Sequence, residues 1–105
     1  MKPFDIFVTY ISWGSGGKNR PVLALIIDNI DADIYPITTQ YDNKSKEIQA
    51  QYFKINDWAE AGLHKQSYID TGTIISIPIS ILKKSSRIGE LTENDILRFL
   101  EFLVN

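Results

Sequence analysis

Residues 22–27, Val-Leu-Ala-Leu-Ile-Ile, form an unbroken apolar run entered through Pro21. A strand with one face in water alternates polar and apolar side chains. A continuous run rich in β-branched residues marks a strand buried on both faces. The remainder of the chain must therefore supply cover for both sides of the sheet that holds it. With 105 residues there is enough chain for one domain, spanning 1–105, and too little for two.

Around this run the pattern is that of short strands. Phe4, Ile6, Val8 and Tyr10 alternate with Asp5, Phe7 and Thr9, which predicts a first strand. Residues 14–19, Gly-Ser-Gly-Gly-Lys-Asn, predict a flexible loop. Residues 29–33 are turn-rich, and 34–40 resume as a strand containing Pro36, which places an edge or a bulge there. Residues 48–55 alternate again. Residues 56–62 predict a short helix with an Asn or Asp cap and a terminal glycine. A further strand covers 68–77 before Pro78 turns the chain, and 87–90 add a short return strand.

The C-terminal segment is a helix. Thr92 caps it, Leu91 and Ile96 form the two ends of a hydrophobic staple, and Ile96, Leu97, Phe99, Leu100, Leu103 and Val104 fall on one side. Phe102 lies off that stripe, which marks it for a protein interface. The expected fold is mainly β: a small barrel with a short inserted helix and a packed C-terminal helix.

Composition narrows the functions. Without cysteine there is no disulfide, thiolate metal site or thiol nucleophile. Pro3 and Asp5 interrupt any signal-peptide pattern, and no apolar stretch approaches a membrane span. A soluble, cytoplasmic protein is expected. Eleven basic against thirteen acidic side chains, a net charge of −2, argue against broad coating of nucleic acid. A local basic site making few phosphate contacts remains compatible with that charge. The aspartates 5, 28, 31 and 33 show no metal-ligand spacing, and residues 14–17 lack the Lys-Ser/Thr pair of a phosphate-binding P-loop. No nucleophilic triad can be assembled.

Residues 16–25, Gly-Gly-Lys-Asn-Arg-Pro-Val-Leu-Ala-Leu, resemble the signature of PemK/MazF-type toxins, a glycine-rich loop running into Arg-Pro and an apolar strand. Three further segments agree in order and spacing: 36–40 (Pro-Ile-Thr-Thr-Gln), 61–63 with 67–70, and 88–92 leading into the terminal helix. The resemblance implies a small β-barrel, a homodimer, and metal-free, cofactor-free cleavage of single-stranded RNA. It also implies a cognate antitoxin whose disordered segment folds into the active groove.

Such cleavage uses the RNA 2′-hydroxyl as nucleophile, so the protein must manage two protons and stabilise charge on the phosphorane. Arg20 matches the family's catalytic arginine, and its planar fork suits phosphate oxygens. Thr38 matches the catalytic threonine, although a β-branched residue in a strand needs no catalytic reason. Thr39 points to the opposite face. Lys18, Asn19 and Gln40, within the matched motifs, and Lys65 are the expected RNA contacts. Trp13 either stacks on an unpaired base or clips the loop to the barrel. His64, the only histidine, is a candidate acid or base or simply a solvated loop residue. The family often carries a second arginine with an acid three positions beyond. Here Thr73 and Ser76 stand in those places, an absence that would remove ~2–4 kcal/mol of transition-state stabilisation.

Overall fold

The computed structural model describes the backbone of residues 1–105 and every side chain except those of Trp13 and Ile26. The apolar run lies in β2, Gly16–Ile27, which pairs antiparallel with β1, Asp5–Trp13, from Ile6↔Leu23 out to Trp13↔Gly16. The expected loop at 14–19 is thus far tighter. Gly14, in the left-handed region at φ 46°, and Ser15 make the whole turn, and residues 16–19 continue the ladder. Gly17 permits this because Tyr10 lies across it: a Cβ there would sit 2.5 Å from the Tyr10 hydroxyl.

On its other edge β2 pairs with β3, Asp31–Thr38, and Leu25 forms a bulge where the register shifts between Ala24 and Ile26. The far edge of β3 takes two partners. Residues 31–34 pair with β6, Ile75–Pro78, and Ile37 and Thr38 pair with β5, Tyr68–Asp70. Pro36 sits in the gap between these partners, where no ladder on that side needs its missing N–H. β4, Tyr52–Lys54, pairs with β5, and β7, Ser86–Glu90, pairs with β1. The order β4-β5-β3-β2-β1-β7 is antiparallel throughout. Among the described residues its ends, β4 and β7, do not pair, so the mainly β fold is present without hydrogen-bonded closure of a barrel.

Both faces of β2 are covered, as its composition requires. Val22, Leu23 and Ala24 are consecutive and fully buried. Leu23 joins Ile6, Tyr35, Ile37, Phe53, Ile69 and Phe99 beneath α3, Glu93–Val104. Val22 and Ala24 join Phe7, Ile34 and Leu82 on the side of α2, Ile79–Lys83.

Three further expectations change. Residues 48–55 do not form one strand: Ser45 Oγ accepts from the Ile48 N–H at 3.3 Å and starts α1, Lys46–Gln49, so β4 begins only at Tyr52. The strand expected at 68–77 splits into β5 and β6, because the Asp70 carboxylate accepts from the Gly72 N–H at 2.9 Å and turns the chain. The third change concerns α3. Thr92 caps it, its Oγ1 accepting from the Asp95 N–H at 3.3 Å. Phe102, however, packs edge-on against Phe53 at 5.5 Å, while Leu97 is 63 % exposed and Leu100, Leu103 and Val104 also face outward. Asp95 fixes this rotation. Its fully buried carboxylate accepts from the backbone N–H groups of Asn56 and Asp57 and pairs with Arg98.

Residues 56–62, expected as a short helix, form a run of turns instead, with Ala61 N–H donating to Asp57 O, and end at Gly62, φ 93°, with Leu63 N–H donating to Trp58 O and Gly62 N–H to Ala59 O. This is a Schellman stop. It is locked to β7: a Cβ on Gly89 would lie 2.0 Å from the Ala61 carbonyl oxygen. Gly89 itself is not in the left-handed region, so only this contact requires glycine. Gly89→Ala should destabilise the protein by about 1–3 kcal/mol, read as a lowered urea midpoint at unchanged slope.

Candidate functional site

The register of β2 with β3 ends at Val22↔Pro36, whereas its pairing with β1 continues to Gly16. Past Pro21 the two strands therefore part. A cavity of about 220 Å³ opens between them, lined by Lys18, Asn19, Arg20, Thr38 and Gln40 among others. The two matched motifs, distant in sequence, thus face each other because β2 and β3 are hydrogen-bonded neighbours that diverge at this point.

Arg20 is the centre of the arrangement. It lines this notch, a larger cavity of about 580 Å³, and a third of about 340 Å³. Its Nε is the one buried side-chain nitrogen or oxygen without a hydrogen-bond partner among the described residues. Buried polar atoms are nearly always paired, so an orphan donor beside a cavity stands out as a candidate for an incoming acceptor. The two other arginines differ: Arg87 donates to Asp5 at 3.1 Å, and Arg98 is paired with Asp95.

Thr38, half-buried at the end of β3, lines both the notch and the 580 Å³ cavity. Its Oγ1 accepts from the Gln40 N–H at 3.1 Å, which leaves the hydroxyl proton free to donate. Thr39 lines the notch and the 340 Å³ cavity instead, in keeping with strand alternation. Lys18 and Gln40 share the 580 Å³ cavity with Arg20 and Thr38. His64 and Lys65 do not: they line the 340 Å³ cavity, with Asn19 and Arg20. The side chain of Trp13 lies outside the described residues.

The larger cavity also holds groups that strand patterning did not reveal, namely Lys44, Tyr52 and Asp70. Lys44 follows a pinned turn. The Tyr41 carbonyl accepts from the Lys44 N–H at 3.0 Å and from Gln49 Nε2 at 2.9 Å, and the Tyr41 ring stacks on Tyr68 at 4.5 Å and 12°. Tyr52 lies 6.4 Å from Tyr41 and 6.5 Å from Tyr68, ring to ring. Burial, followed by the Asp70 carboxylate, pushes the Tyr52 phenol above its ordinary pKa, while Arg20 acts the other way. Burial, with Asp42, likewise raises Tyr68. Thr73, where the resemblance places an arginine, lines the same cavity without charge, and Ser76 is exposed opposite Asp33 on β6. Among the described residues no three His, Cys, Asp or Glu side chains gather as a metal site, and no helix is long and apolar enough to cross a membrane.

No protein-family model matches the chain, and no curated protein matches it. Solved structures do. The chain is similar to the Mycobacterium tuberculosis toxin MazF-mt6, at 21% identity and a TM-score of 0.69, over 94% of this chain and 91% of that one. It is also similar to a structure described as an Mtb toxin, at 20% identity and a TM-score of 0.66, over 94% and 97% of the two chains. The chain has the MazF/PemK-like toxin fold.

Proposed function

We propose that the chain is the toxin of a toxin–antitoxin pair and a metal-independent endoribonuclease of single-stranded RNA, working in the cytoplasm. The observation that carries this reading is Arg20, its buried Nε unpartnered, lining one notch with Thr38 in a chain with the fold of MazF-type toxins.

Arg20 grips the scissile phosphate and steadies the charge that builds on its oxygens, and the Thr38 hydroxyl donates to one of them. Lys18, Lys44 and Gln40 hold the RNA on one side of Arg20. Asn19 and Lys65 hold it on the other, where His64 lines a cavity that Thr38 does not. A homodimer and an antitoxin that fills the groove are part of the same proposal. A second reading, an RNA- or protein-binding module on the same fold, is favoured by one observation: Thr73 brings no charge to the cavity.

Incubation of the purified, antitoxin-free protein with mixed-sequence single-stranded RNA in EDTA separates the two. Discrete cuts, insensitive to the chelator, support the nuclease. RNA binding without cleavage by the folded protein selects the binding module.

A further inference from the structure

Transfer of phosphorus to a 2′-hydroxyl requires a base for the nucleophile and an acid for the leaving oxygen, and Arg20 and Thr38 are suited to neither task. The histidine that the sequence offers lines a different cavity from Thr38. Inside the 580 Å³ cavity stand a carboxylate, Asp70, and a phenol, Tyr52. They are direct cross-strand partners in the β4–β5 ladder, Tyr52↔Asp70, so both side chains leave the same face. Such partners have Cβ atoms about 4.5–5.5 Å apart.

Both groups are half-buried and both are held. Asp70 Oδ1 is fixed by the Gly72 N–H at 2.9 Å, and the Tyr52 ring is confined by Tyr41 and Tyr68. The charged groups sharing the cavity with Tyr52 are Lys18 and Arg20 from β2, Lys44 from the loop after β3, and Asp70 from β5. Lys18 is exposed near the hairpin end and carries no comparable packing.

Resting on the nuclease reading, we propose that Asp70 is the general base and Tyr52 the general acid of RNA cleavage. Asp70 takes the 2′-hydroxyl proton as that oxygen bonds to phosphorus. The bond from phosphorus to the 5′-oxygen breaks, and Tyr52 gives its proton to the departing oxygen. The products are a 2′,3′-cyclic phosphate and a 5′-hydroxyl. The Asp70 proton then returns to the Tyr52 phenolate across the ladder, and both groups are reset. Burial keeps the phenol protonated beforehand, and nearby Arg20 steadies the phenolate afterwards.

The test uses two single-stranded RNAs of the same sequence, one ordinary and one with a sulfur in place of the 5′-bridging oxygen, a leaving group that needs no acid. On ordinary RNA, Tyr52→Phe should lower kcat by ~10²–10⁴-fold with KM unchanged. On the thio substrate it should cut within a few-fold of the wild type. Asp70→Asn, which keeps an oxygen for the Gly72 N–H, should be slow on both. Tyr52→Phe that is equally slow on both substrates, or normal on both, overturns the acid, and a full-rate Asp70→Asn overturns the base. A folded wild-type protein that cuts neither RNA overturns the nuclease reading itself, and this assignment with it.

Discussion

Arg20→Ala should lose RNA cleavage by about 10²–10³-fold, the effect of removing one phosphate-directed donor, while the protein unfolds no more easily than the wild type. The second half of that expectation is the sharper one. Arg20 makes no ion pair among the described residues, and its Nε is buried without a partner, so its removal relieves a desolvated donor and breaks no internal bond. A residue held for catalysis loses rate without losing stability. Arg98 supplies the contrast on the same molecule. It pairs with a buried carboxylate, bonds the Lys54 carbonyl at 3.3 Å and lies over the Phe53 ring at 4.8 Å. Arg98→Ala should therefore lower the unfolding midpoint and leave cleavage by the folded fraction intact. Parallel urea curves and initial rates decide the matter: an Arg20→Ala variant that is destabilised yet fully active would show Arg20 to be a structural residue.

The core of the sheet was legible because it depends on a local signal, whereas Arg20 was singled out by resemblance. An unbroken apolar run specifies burial on both faces wherever the rest of the chain goes, and Val22, Leu23 and Ala24 are buried accordingly. The Thr92 cap is a short-range signal and was read directly. What escaped the sequence depends on pairing between distant segments. Residues 16–19 look like a loop until β1 is known to run far enough to pair with them. Tyr52 and Asp70 become neighbours only through the β4–β5 register, and Lys44 reaches the cavity only because Tyr41 is stacked on Tyr68. The helical wheel of α3 went wrong by about one position for a similar reason. Hydrophobicity alone favoured the stripe through Leu97 and Leu100, whereas a buried carboxylate with partners on another segment turned the helix toward Phe99 and Phe102.

That carboxylate should be among the most sensitive positions for stability. Asp95 is wholly inaccessible, and its two oxygens accept from the N–H groups of Asn56, at 3.3 Å, and Asp57, at 2.8 Å. Asp57 in turn accepts from the Thr92 hydroxyl at 2.7 Å, so cap, helix and the 56–62 turn share one network. Asp95→Ala leaves both N–H groups unpaired and strips Arg98 of its partner. Each orphaned donor costs about 1–3 kcal/mol, and the combined loss should be about 3–5 kcal/mol. For a domain whose whole stability is of the order of 5–15 kcal/mol, that brings the folded state close to its limit. Asp95→Asn should lose less, because the amide oxygen can still satisfy one of the two N–H groups while its own NH₂ opposes the other. The ordering wild type, Asn, Ala in urea midpoint is therefore the signature of the network. An Ala variant as stable as the Asn variant would mean that water or backbone movement satisfies the turn, and that the apolar contacts of Phe99 and Phe102 alone set the rotation of the helix.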